Sequence, residues 1–164
     1  MVERSLKERY IFLVKGKGKG NTQLSAFDAA LYDARISNFN LIYLSSIIPE
    51  NSKIIFKKIK FREEDYGKKL YVVLAKKIET KKGKYAFAGL GWVQNKEGRG
   101  LFVEDTADNK KELKKLITLS LKDLIKRRKE YKYGKINYLI SGIKCKGKPV
   151  CAICAAIYQI EDFK

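Results

Sequence analysis

Only two stretches of this chain carry the apolar spacing of a helix, and every other apolar run is short enough to be a strand. The first spans about residues 23–35, with Leu24, Phe27, Ala30 and Leu31 at helical intervals. The second spans about residues 110–130. It gathers Leu113, Leu116, Ile117, Leu121, Leu124 and Ile125 on one face, behind a cap at Asp108-Asn109. Its other face is nearly all Lys and Arg and is expected to be solvated. Strands are predicted at residues 10–14, 39–44, 54–59, 70–75, 85–93 (broken by Gly89 and Gly91) and 101–104. Residues 136–144 and 150–157 are predicted to form a hairpin across Lys146-Gly147-Lys148-Pro149. This pattern predicts an α+β fold with a mostly antiparallel sheet and two principal helices. A chain of 164 residues without repeat or linker is expected to be one domain, 1–164.

Charge comes next. Lys and Arg number 36 against 18 Asp and Glu, a formal net charge of +18. Such a surface attracts polyanions. The basic residues are nevertheless spread over 15–19, 53–60, 76–84 and 110–129, without a basic arm or an aromatic-plus-basic binding motif. Nucleic acid is therefore expected only as a nonspecific partner. A small basic nucleic-acid-binding protein stands as the alternative reading. No apolar stretch approaches the roughly 20 residues of a membrane span, and residues 1–7 lack the apolar core of a signal peptide. The expected location is the cytoplasm. Histidine is absent, which excludes His-dependent nucleophilic catalysis and His-ligated metal sites.

Three motifs remain to be weighed. Gly16, Gly18 and Gly20 alternate with lysines, without the spacing of a nucleotide-binding loop; a flexible connection is expected over residues 15–22. Cys145, Cys151 and Cys154 cluster, but residues three apart on a strand face opposite ways, and three cysteines without histidine leave a zinc site incomplete. They are expected to be small core residues, with no metal. The last motif is Ser45-Ser46, at the end of a strand and before Ile47-Ile48-Pro49. A serine hydroxyl can attack the preceding carbonyl where the backbone is strained and donors hold the oxyanion. The resulting ester eliminates, and the new N-terminus becomes a pyruvoyl group. That ketone does the electron-sink work otherwise assigned to pyridoxal phosphate.

Thr22-Gln23-Leu24-Ser25-Ala26-Phe27-Asp28-Ala29-Ala30-Leu31, Ile36-Ser37-Asn38-Phe39-Asn40-Leu41-Ile42 and Leu44-Ser45-Ser46-Ile47-Ile48-Pro49 together resemble the archaeal pyruvoyl-dependent arginine decarboxylases. Gly100-Leu101-Phe102-Val103-Glu104 and the Ala-rich residues 150–157 are similar to later segments of that family. The resemblance implies a four-layer αββα sandwich with mostly antiparallel sheets, self-cleaved into a β chain 1–45 and an α chain 46–164. It implies a pyruvoyl group made from Ser46, neither pyridoxal phosphate nor metal, and conversion of L-arginine to agmatine for polyamine synthesis. Ser45, Ser46 and Asn40 would serve self-processing. Asp28 would receive the guanidinium, with the backbone around Ser37 and Phe39 supplying carbonyls. Glu104 would be the general acid, a role that calls for a partly dry pocket. A homotrimer of cleaved protomers is implied, with active sites between neighbours. Ser25, Ser37 and Glu50 stand where the family usually has Asn, Gly and Pro. A paralogue of the same fold with another amino-acid substrate, or with no activity, is the remaining alternative.

Overall fold

The computed structural model describes residues 8–164; residues 1–7, read above for a leader, lie outside the described residues. Along the chain follow β1 (Arg9–Lys19), α1 (Gln23–Asp33), β2 (Asn40–Tyr43), β3 (Ile47–Ile48), β4 (Ser52–Phe56) and β5 (Lys69–Glu79). Then come β6 (Tyr85–Gln94), β7 (Gly100–Ala107), α2 (Lys110–Lys126), β8 (Asn137–Lys144) and β9 (Val150–Glu161). The α+β expectation holds, with two sheets rather than one. The first is five-stranded and mixed, ordered β2-β5-β9-β1-β4, with β2/β5 and β1/β4 parallel. The second is four-stranded and antiparallel, ordered β3-β7-β6-β8.

Side-chain alternation divides the core. Ile11, Leu13, Val73, Ala152, Cys154 and Ala156 of the first sheet share one apolar cluster with Ala88, Leu90 and Phe102 of the second. The intervening residues Val14, Val72, Cys151, Ile153 and Ala155 turn the other way and pack with Ala26, Ala30, Leu31 and Ala34 of the α1 segment. On the second sheet, Val93, Leu101 and Val103 pack with Leu113, Ile117 and Leu121 of α2. The Asn109 side chain caps α2 by accepting from the Glu112 N–H, as its sequence predicted.

Three sequence expectations fail for reasons the packing makes plain. The glycine run is not a flexible loop: Gly16 and Gly18 lie inside β1. A Cβ on Gly16 would sit 2.1 Å from the Ala30 carbonyl oxygen, and one on Gly18 2.5 Å from the Ala29 Cβ. Glycine at every second position is one bare face of a strand, against which a helix lies closely. Gly89 and Gly91 do not break β6 either. A Cβ on Gly91 would meet Ile117 Cγ2 at 2.1 Å, so the same device seats α2. Finally, β8 and β9 are not a hairpin. β8 pairs with β6 in the second sheet, while β9 is the centre of the first, between β5 and β1. Residues 150–157 are buried on both faces, a demand that an edge position beside β8 would not meet.

Candidate active site

Ser45-Ser46 follows the end of β2, as expected, and carries the chain from one sheet to the other. β2 pairs with β5 in the first sheet, and its ladder is extended by the Leu44 N–H donating to the Val72 carbonyl at 2.9 Å. Two residues later β3 pairs with β7 in the second sheet, Ile47 opposite Leu101. So abrupt a transfer requires an unusual dihedral, and Ser46 supplies it with φ of 77°. A side chain rarely adopts that left-handed region, at a cost of about 1–2 kcal/mol. The strain therefore lies at the residue whose amide bond would be cut.

Ser46 is held from several sides. Its residue is 9% exposed, and its hydroxyl donates to Glu104 Oε2 at 2.7 Å. Its carbonyl accepts from the Phe102 N–H at 2.8 Å. One residue on, the Ile47 carbonyl accepts from the Tyr158 hydroxyl at 2.9 Å. Burial first, and then the nearby Glu104 carboxylate, push the Tyr158 phenol well above its ordinary range. It is a hydrogen-bond donor throughout the neutral range. The Tyr158 ring lies 6.3 Å from that of Phe102, which is 6.2 Å from Trp92. Phe102 and Glu104 alternate on one face of β7, while Glu104 itself is exposed.

The substrate-side residues named from the sequence lie elsewhere in the chain. Asp28 is an exposed residue of α1, and among the described residues no Lys or Arg nitrogen lies within 4.0 Å of it. Ser25, beside it in sequence, completes a capping box with Thr22: each backbone N–H donates to the other's side-chain oxygen. That accounts for serine at this departure from the family pattern. The chain leaves α1 through Arg35 at φ of 64°. Ser37 is half-buried, and Phe39 packs edge-on against Phe61 with centroids 5.8 Å apart. Asn40 opens β2, its side-chain amide donating to the Gly67 carbonyl at 2.6 Å. Leu44 lies four strand steps further on, about 13 Å away.

These residues fall on two sides of the first sheet. Ser46, Glu104 and Tyr158 belong to the side of the first sheet that packs against the second, while α1 with Asp28 covers the opposite side. One chain does not bring Asp28 or the Asn40 amide to Ser46. Sequence reasoning missed Tyr158 and the Phe102 N–H. A tyrosine directly after the apolar run 150–157 was the only written sign of the first, and a backbone donor leaves none. Cys151 and Cys154 fall in different clusters, as their spacing predicts, and burial lifts their thiols to about 11 and about 12. Among the described residues no three His, Cys, Asp or Glu side chains gather as a metal site. No helix there is long and apolar enough to cross a membrane.

Comparison with known proteins bears on this geometry. Residues 10–162 match the family model described as pyruvoyl-dependent arginine decarboxylase (PvlArgDC). A protein of Thermoplasma volcanium named pyruvoyl-dependent arginine decarboxylase is 38% identical over 82 residues, covering 50% of this chain and 45% of that one. Pyruvoyl-dependent arginine decarboxylase 2 of Archaeoglobus fulgidus is 29% identical over 106 residues, covering 63% of this chain and 68% of its own. A Methanococcoides burtonii protein named pyruvoyl-dependent arginine decarboxylase is 38% identical over 80 residues, covering 49% of this chain and 44% of its own. The matched part of this chain thus spans about half the length of the first and third of these relatives.

Proposed function

The chain belongs to the pyruvoyl-dependent arginine decarboxylase family, and from that premise we propose that it cuts itself between Ser45 and Ser46 and converts L-arginine to agmatine and carbon dioxide. The observation that carries this reading is the strained Ser46, its hydroxyl 2.7 Å from the Glu104 carboxylate. Glu104 takes the hydroxyl proton as Ser46 Oγ adds to the Ser45 carbonyl. Glu104 passes that proton to the departing nitrogen as the peptide C–N bond breaks, and the new C–O bond leaves an ester with a free Ser46 amine. Loss of the Ser46 Cα proton then breaks the Cβ–Oγ bond, leaving a carboxylate on Ser45 and dehydroalanine at 46. Water enters and ammonia leaves, giving the pyruvoyl group. Both strands stay anchored after the cut, β2 on β5 and β3 on β7.

The residues around Ser46 fit that group. The Phe102 N–H already holds the Ser46 carbonyl, which becomes the amide oxygen beside the new ketone, and Tyr158 fixes the next peptide. When present, the ketone supplies an electron sink for the loss of carbon dioxide. Phe102 favours charge at the amide oxygen, in the manner of an oxyanion donor. Glu104 returns a proton to Cα. Asp28 receives the guanidinium through two parallel hydrogen bonds, with the carbonyls near Ser37 and Phe39 beside it.

Because Ser46 and Asp28 lie on different sides of the first sheet, the complete site forms between copies, in the proposed homotrimer of cleaved protomers. A neighbour brings Asp28 and Asn40 to Ser46 and shields the exposed Glu104. The shared and flanking core clusters support an αββα layering of the one domain, cut into a β chain 1–45 and an α chain 46–164. The cytoplasm is its proposed location.

Intact mass under denaturing conditions tests the reading. Two chains parting between Ser45 and Ser46 are expected, the larger with a pyruvoyl mass at its N-terminus, and a single chain for Ser46→Ala. A single uncut chain in the unaltered protein overturns the proposal. Agmatine formation from arginine then separates the substrate from other amino acids.

A further inference from the structure

The basic residues look scattered in the sequence, but the fold gathers some of them. Lys17 and Lys19 of β1, Lys144 at the end of β8, and Lys146 and Lys148 of the β8–β9 connection line one groove of about 760 Å³. Tyr85 and Phe87 of β6 form its aromatic wall, stacked with centroids 5.6 Å apart and planes 23° from parallel. Tyr85 is 41% exposed. Lys144 is its cross-strand partner and lies with its ammonium 5.7 Å from the Tyr85 ring. The neighbouring turn adds Lys81, Lys82 and Lys84, tied in by the Gly83 N–H on the Cys145 carbonyl and the Cys145 N–H on Lys84. β8 is the edge of the second sheet opposite β3, so this groove is separate from Ser46.

These five lysines share one concave surface whose lining holds no Asp or Glu. Some lysines elsewhere are paired, as are Lys53 with Glu8, Lys69 with Glu161 and Lys77 with Asp108. Among the described residues, none of the five groove ammonium groups has a carboxylate oxygen within 4.0 Å, and the nearby Asp33 carboxylate accepts from the Lys17 backbone N–H at 3.0 Å. A concave surface with one sign of charge focuses its field on a polyanion. An exposed, pre-stacked aromatic adds a platform for a flat ring.

We propose that the groove between β1, β6 and β8 binds single-stranded nucleic acid without sequence preference, the lysines following phosphates while a base stacks on Tyr85. A duplex fits less well, because its bases already stack on one another. An acidic peptide would use the lysines but leave the Tyr85 face unused. The inference does not rest on the proposed decarboxylation.

The test is fluorescence anisotropy of the full chain with a labelled oligo(dT) of about 20 nucleotides. Five phosphate contacts predict a log–log salt slope of about −3.5, or about 100-fold weaker binding between about 50 and 200 mM salt. K144E/K146E/K148E should weaken binding at least about tenfold and flatten that slope, with K144Q/K146Q/K148Q intermediate. Tyr85→Ala should lose about tenfold without changing the slope. Cutting at Ser45-Ser46 should be unaffected in all of them. Three results overturn the proposal: equal binding by the charge variants, equal loss by Tyr85→Ala toward oligo(dT) and toward heparin (which has no bases), or a changed assembly mass in the charge variants. The second would leave a plain polyanion surface; the third would place this face against another copy.

Discussion

The neighbourhoods of Ser46 and Asp28 differ in how completely one chain builds them. Around Ser46 the backbone is strained, and the hydroxyl and the next two carbonyls all have named partners in Glu104, Phe102 and Tyr158. Those partners come from β7 and β9, far apart in sequence, and rigid sheet ladders fix them. Around Asp28 the helix surface is open, with no basic partner among the described residues. The contrast teaches a division of labour. Under the proposed self-cutting, the reacting hydroxyl takes its proton acceptor and backbone anchors from its own chain, with Asn40 left to a neighbour. Under the same proposal, Asp28 meets substrate only when a neighbouring copy completes the site.

Variants can break that division. Glu104→Gln should have the largest effect, slowing self-cutting by roughly 10²–10⁴-fold in a time course of the uncut chain, and lowering kcat once cut. Normal cutting together with normal turnover would remove Glu104 from both roles. Asp28→Asn should cut at the unaltered rate yet lose about 10²-fold in kcat/KM for arginine, because a charge-assisted fork becomes a neutral contact. If cutting slowed as much as in Glu104→Gln, the two regions would not be separate. Tyr158→Phe keeps the ring and removes one donor, so cutting should slow by about tenfold, the weight of a single hydrogen bond. The loss should be equal at pH 7 and 9, since the raised phenol keeps its proton across that range.

The smallest effect concerns the two thiols, Cys154 in the cluster shared by the sheets and Cys151 beneath α1. Burial raises them to about 12 and about 11, so the folded chain holds protons that the unfolded chain releases. Their stabilising contribution is complete below about pH 8.5 and is lost as pH rises toward those values, at up to about 1.4 kcal/mol per pH unit for each group. The urea midpoint should fall above about pH 9. Cys154→Ala should flatten that fall, and an unchanged slope would show that the thiol is not buried as described.

Much of this was legible in local pattern. Both helices, the Asn109 cap and the opposite facing of Cys151 and Cys154 follow from spacing along a few turns or strand steps. The glycines were misread because their partner is remote: Gly16 and Gly91 make sense only with Ala30 and Ile117 above them. The β8–β9 hairpin was misread because a short connection looks the same whether it returns to its own sheet or crosses to another.

By itself, the sequence determined which residues can react and which segments are helical, since side-chain chemistry and periodicity are local properties. Only the tertiary structure decided that Ser45-Ser46 spans two sheets, that Glu104 and Tyr158 meet there, and that Asp28 does not. Strand order and the partner across a ladder depend on packing between segments far apart in the chain, and no local pattern records that packing.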